Sequence, residues 1–332
     1  MLNRRQFLAS SGWAVASLSL SGLMTAAGGV QAGDPSLDAD AFHGLRRYVR
    51  TAFGDIAYVE QGQGEAALFL HGFPLNGFQW RGALPRLAPY RRCIAPDFLG
   101  LGYTRVAEGQ AVGPDEQVAM LLALMDTLRI ASADLVASDS GGAVAQLLLA
   151  RHPQRVRTLL LGNCDTAIDS PPPAMGPVID LARQGRFVDD WLGRWHADRD
   201  LARSPDGIGG MCYANAANPT DEAIDMYFGP LLSTQRRTDL GNAYAIALSR
   251  NALTDSAAAL RQARAPVRVV WGTADTIFAE HNADYLEQAF GNARGVRRLA
   301  GAKLFWPEER PEIIAEEARA LWNAWVAVAP RR

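Results

Sequence analysis

Residues 135–153 read LVASDSGGAVAQLLLARHP, an apolar run that passes through ASDSGG into an amphipathic segment. Small residues on both sides of one polar residue permit a sharp strand-to-helix turn, which pushes that residue out at the top of a sheet. The polar residue is Asp139. An aspartate before a helix often serves only as an N-cap, but the crowding of Ser138, Ser140, Gly141 and Gly142 around it points to a strained elbow that presents its carboxylate.

The same strand-and-helix rhythm extends in both directions. Upstream, RRYVRTAF and GDIAYVEQG alternate like an antiparallel hairpin around Gly54, and ALFLHG reads as a buried parallel strand. A helix near 78–88, the strand RRCIAPD and a helix near 115–128 then lead to the elbow, whose helix is expected over about 142–151. Downstream of the strand VRTLLLGNCD, the Pro-rich TAIDSPPPAMGP breaks the rhythm, and the pattern stays helical and aromatic-rich to about residue 251. It resumes with APVRVVWGTAD, a helix near 283–290, the strand VRRLAGA and a helix over about 309–326. The pattern predicts an α/β class protein with a mostly parallel, doubly wound sheet and an inserted helical lid. Its expected parts are a core from 33–165, a lid from 166–251 and a second core part from 252–332. A lid at that point covers the carboxyl ends of the strands, where ligands bind.

Bulk properties agree with a folded protein: 48% of the 332 residues are hydrophobic and 20% charged. The first residues, MLNRRQFLASSGWAVASLSLSGLMTAAGGVQA, pair Arg4 and Arg5 ahead of a short Ser/Gly/Ala-rich apolar stretch. They read as a twin-arginine signal over 1–32, cleaved after Ala32, with the export machinery as a partner and a periplasmic or secreted destination. An uncleaved membrane anchor is the alternative. Cleavage removes two arginines and no acid, moving the net charge from −2 to −4, which does not suit nucleic acid as a partner. Cys93, Cys164 and Cys212 are odd in number and lack metal-ligand spacing, so they read as buried, idle thiols.

Five segments in order, HGFP, APDFLGLGYT, SDSGG with ARHP, WGTAD and PEERPE, resemble the α/β-hydrolase fold over about residues 46–326. With aspartate at the elbow, the chain is similar to haloalkane dehalogenases, fluoroacetate dehalogenases and epoxide hydrolases. The resemblance implies that Asp139 attacks a carbon bearing a halide or epoxide oxygen, forming an ester that water cleaves. It also implies that the backbone N–H groups of Phe73 and Ser140 hold the oxyanion. The positive end of the following helix is expected to keep Asp139 ionised. Asp275, in WGTAD, stands where the family keeps the acid that orients a histidine; Asp165 and Asp169 offer the alternative position.

The family's last motif commonly reads like G-A-G-H-F-P-x-E-E-R-P-E. Residues 301–312 read GAKLFWPEERPE, which puts Leu304 at the histidine's place beside Lys303, the only lysine of the chain. Of the five histidines, His196 and His281 are the candidates to replace it, His71 reads as a loop brace, and Lys303 is a further candidate base. Lid aromatics, Trp191, Trp195, Tyr213, Tyr227 and Tyr244, are expected at a small, largely apolar substrate. No metal or organic cofactor is expected. Three activities fit: hydrolysis with a replacement base, acid/base chemistry without activated water, or ligand binding alone.

Overall fold

The structure, a computed structural model, describes residues 34–328; the expected signal over 1–32 lies outside the described residues. Among the described residues, nine strands form one sheet. β1 (Arg46–Thr51) and β2 (Gly54–Gln61) make the antiparallel hairpin, turning at Gly54 with φ +122°. That positive φ and the carbonyl of Arg105, 2.1 Å from where a Cβ would sit, both require glycine there. β3 (Ala66–Leu70), β4 (Arg92–Pro96), the short β5 (Arg105–Val106), β6 (Ala133–Ser138), β7 (Val156–Cys164), β8 (Val267–Gly272) and β9 (Ala293–Leu299) follow. Their order is β1-β2-β4-β3-β6-β7-β8-β9, with β5 on β2 and every pair from β4 to β9 parallel. β3 and β6 are buried along their whole length, as continuous apolar runs in a sheet covered on both faces should be.

This order places the site. The chain steps from β3 outward to β4, then returns to lay β6 against the other side of β3, so the winding reverses between β3 and β6. Loops leave opposite ways there and open a crevice at the carboxyl ends of the two strands. HGFP follows β3 and Asp139 follows β6.

Two expected helices begin differently. The elbow helix runs Asp139–Arg151, three residues longer than its apolar pattern, because Asp139 is its first residue, at φ +55°. The segment near 78–88 divides into a 3₁₀ turn, Gly77–Trp80, and a helix, Ala83–Leu87. Close backbone approach explains the glycines after the elbow. A Cβ on Gly141 would lie 2.4 Å from the His71 carbonyl oxygen, and one on Gly142 2.3 Å from the Cys164 Cβ. Gly141→Ala is therefore expected to destabilise the protein by about 1–3 kcal/mol, since backbone cannot yield as a flexible side chain does; a urea midpoint equal to wild type would contradict this.

Between β7 and β8 the described chain forms helices and no strand of the sheet. The helix Ala257–Gln262 packs on the elbow helix and so belongs with the core. Cys93, Cys164 and Cys212 are free and buried.

Candidate active site

Asp139 sits at the switch point, 7% exposed, with the positive φ that the elbow imposes on a non-glycine residue. It is not an N-cap: Ser138 holds that place, and the Asp139 Oδ1 accepts from the very next N–H, that of Ser140, at 2.6 Å. The Phe73 N–H also favours the charged form of the carboxylate. Oδ2 is buried and has no hydrogen-bond partner among the described residues. A Cβ on Gly72 would lie 2.3 Å from Oδ2, so the HG of the loop makes room for the acid.

The loop is braced from below. The His71 Nδ1 lies 2.9 Å from the Gly72 carbonyl, and the Phe98 N–H donates to Nε2 at 3.0 Å. Those partners fit a neutral ring with its proton on Nδ1, and burial lowers the pKa of His71 accordingly. Gln79, fully buried, joins the two halves of the site: its Oε1 accepts from the Gly72 N–H and its Nε2 donates to the Ser138 hydroxyl.

Burial works against the expectation that the helix keeps Asp139 ionised. It pushes the pKa well above the ordinary aspartate value, Asp165 and then Asp275 add to the push, and the Ser140 and Phe73 N–H groups offset part of it. A helix terminus contributes little against desolvation with two more acids nearby.

Asp165, the first residue after β7, is 6% exposed and lines the same cavity. Burial raises its pKa to about 6, against a bond from the Ser170 hydroxyl to Oδ1 at 2.8 Å. Asp275 is also pushed to about 6 by burial, although Ile277 N–H donates to Oδ1 and Asn163 Nδ2 to Oδ2, both at 2.8 Å. Asn163, fully buried, also exchanges two hydrogen bonds with Gly272 and accepts from the Trp306 indole at 3.2 Å. One amide thereby fixes the end of β8, the acid and the loop after residue 301.

The cavity, about 80 Å³, is lined by Asp139, Asp165 and the Cys212 thiol among apolar and aromatic groups. Leu304, 3% exposed, is part of that lining, and none of the five histidines is. His196 Nε2 faces Asp225 at 3.1 Å on the lid surface, and His281, itself exposed, is the first residue of a helix. Lys303 does not line the cavity either; its Nζ donates to the Gly210 carbonyl.

Of the expected lid aromatics, Trp191 and Trp195 line the cavity, stacked with centroids 5.8 Å apart. Tyr244 stands behind the lining, stacked on Phe73 with its hydroxyl 3.4 Å from that of Ser140. Tyr213 and Tyr227 lie elsewhere. The Tyr213 hydroxyl donates to Glu308 at 2.9 Å, and Arg81, ion-paired with Glu308, donates to the Tyr227 hydroxyl at 3.1 Å. A buried pair needs such further partners, and the two tyrosines supply them instead of meeting a substrate. Glu309 extends the connection, accepting from the N–H groups of Ala214 and Asn215. Pro171 and Pro172, read from sequence as an exit from the sheet, form part of the cavity wall.

A family model described as alpha/beta hydrolase fold matches residues 67–308. A haloalkane dehalogenase of Mesorhizobium japonicum is 44% identical over 108 residues, 30% of this chain and 33% of that protein. A 2-hydroxymuconate semialdehyde hydrolase of Pseudomonas sp. is 44% identical over 82 residues, 25% of this chain and 29% of its own. The chain thus spans about a third of the length of the curated relatives it matches. Among solved structures, an alpha/beta hydrolase fold protein from Burkholderia ambifaria aligns with TM-score 0.71 at 24% identity, covering 85% of this chain and 97% of the other. The haloalkane dehalogenase DbeA from Bradyrhizobium elkani aligns with TM-score 0.66 at 24% identity, covering 84% and 99%. At that identity the likeness is one of fold.

Proposed function

The chain belongs to the α/β-hydrolase fold family, and on that premise we propose that it is a hydrolase of small, largely apolar substrates that works through a covalent ester on Asp139. The observation that carries this is the Asp139 carboxylate itself: one oxygen held by the Ser140 N–H, the other buried, unpartnered and set in an apolar cavity. The free oxygen is the one available to attack a carbon bearing a halide or an epoxide oxygen. Water then attacks the ester carbonyl, and the negative charge that develops falls beside the N–H groups of Ser140 and Phe73. The partial matches to haloalkane dehalogenases support this choice of chemistry. Export by the twin-arginine route is part of the same proposal, on the strength of Arg4 and Arg5 and the stretch behind them.

The test follows the oxygen. In a single turnover of 1-bromobutane or 1,2-epoxybutane in heavy-oxygen water, the product keeps an oxygen from Asp139 and the heavy atom enters the Asp139 side chain. The peptide containing Asp139 should gain about 2 mass units. Heavy oxygen in the first-turnover product would mean direct attack by water and would sink the reading. Because burial raises the pKa of Asp139 and the ionised carboxylate is the nucleophile, ester formation should accelerate as pH is raised. A flat profile, measured by quenching and mass spectrometry, would contradict this.

A second reading draws on two observations: burial raises the pKa of Asp139, and Leu304 is an apolar part of the cavity lining. Both suit an acid/base isomerase or lyase, for which turnover proceeds without solvent oxygen and is lost in Asp139→Asn.

A further inference from the structure

The covalent route leaves one step without an agent. Water must be relieved of a proton as it attacks the ester, and Leu304 stands where a base would be expected. We propose that Asp165 is the base that takes this proton, an inference that rests on the covalent reading of Asp139. Asp165 lines the same cavity as Asp139 and is 94% buried, to judge from its 6% exposure. An isolated parallel bridge between Asp139 and Cys164 sets the backbone of Asp165 one residue beyond the partner of the nucleophile, at the carboxyl end of the neighbouring strand.

The segment that carries Asp165 is held firmly. Gln146, from the elbow helix, donates to its carbonyl at 2.8 Å. The fully buried Asn282 accepts from the Thr166 hydroxyl at 2.6 Å and donates to Asp169 at 2.8 Å. Ser170 donates to Oδ1 of Asp165, and among the described residues no side chain donates to Oδ2. A firmly held loop whose carboxylate has one side-chain anchor and no second side-chain donor is what a positioned base requires.

The competing groups are otherwise engaged. Both oxygens of Asp275 accept hydrogen bonds, and the residue does not line the cavity. Lys303 is bound to the Gly210 carbonyl. Cys212 does line the cavity, but burial raises its pKa well above the usual thiol range, so it is an inert thiol. The elevation of Asp165 to about 6 leaves it largely ionised at neutral pH and more basic than an ordinary aspartate.

The step balances without another reactant. Oδ2 of Asp139 forms a bond to carbon as the carbon–halogen bond breaks and halide leaves. Water adds to the ester carbonyl carbon while Asp165 takes one of its protons. The tetrahedral oxyanion collapses, breaking the bond to the alkyl oxygen, which receives that proton from Asp165 and departs as alcohol. Asp139 is left as the acid and returns its remaining proton to solvent.

The experiment uses the full chain, 1-bromobutane and rapid quenching, with adducts located by peptide fragmentation so that alkylation of Cys212 is told apart. In wild type the ester on Asp139 should form and clear. In Asp165→Asn, where the amide oxygen still accepts from Ser170, it should form no more slowly, since loss of the Asp165 charge eases ionisation of Asp139, and clear about 10²-fold more slowly. Asp165→Asn combined with Leu304→His should clear it again, which shows that the first variant lost a base and not its fold. Clearance at the wild-type rate in Asp165→Asn, or an ester that persists in wild type, overturns the assignment of Asp165 while leaving the covalent reading intact. No ester on Asp139 in any form overturns both.

Discussion

Leu304→His should raise the rate of ester clearance by roughly 10²-fold, toward the lower end of what a positioned base contributes. Leu304 lines the cavity at 3% exposure, and histidine is close to it in volume, so the exchange does not overpack the site. The acid side of the arrangement is already built: Asp275 is fixed by Asn163 and by the Ile277 N–H, and each of its oxygens keeps accepting capacity for an imidazole N–H. An imidazole paired in that way is held in orientation and in tautomer. The gain falls short of the full range because Asp165 already activates water in the parent. Leu304→Asn, similar in size and without a base, should leave clearance unchanged. Equal rates for the histidine and asparagine variants would show that residue 304 does not reach the ester.

The second large effect is on stability. Asp165 and Asp275 are both raised from 3.8 to about 6 in the folded chain. Below about pH 4 both states are protonated and neither acid opposes folding. Between about pH 4 and 6 the unfolded chain releases protons that the folded chain retains, so stability falls with rising pH; above about 6 the folded acids ionise too and the fall levels off. For Asp165 the loss is about 3 kcal/mol, and somewhat less for the more accessible Asp275. Asp165→Asn should remove its share: denaturant midpoints of variant and parent should match near pH 4, with the variant ahead above about pH 6. Parallel curves across that window would mean that Asp165 titrates normally.

Much of this was legible in the sequence. The elbow at Asp139, the HGFP loop and the alternation of strands with helices are local patterns, set by residue size and backbone freedom over a few positions. What stayed hidden depends on which way side chains point once distant segments meet. Tyr213 and Tyr227 read as substrate contacts because they lie on the lid, yet a buried Arg81–Glu308 pair claims both. Asp165 read as a mere alternative to Asp275, since nothing in GNCDTAIDS tells that its carboxylate enters the cavity. Gln79 and Asn163, which join the loops of the site, carry no motif at all. The rise in the Asp139 pKa stayed hidden because a sequence displays its helix and not its burial or the two acids brought beside it.

The loop over residues 303–309 has a second occupation. Lys303 holds the Gly210 carbonyl, the Phe305 N–H donates to the Cys212 carbonyl, Glu308 receives Tyr213, and Glu309 receives the backbone of 214 and 215. These bonds clasp the lid to the sheet whatever stands at 304. A segment with such a duty is constrained apart from any catalytic role, because altering its frame would loosen the roof of the cavity. Its familiar spelling is therefore a statement about architecture, and the chemistry beneath must be read from the few side chains that face inward.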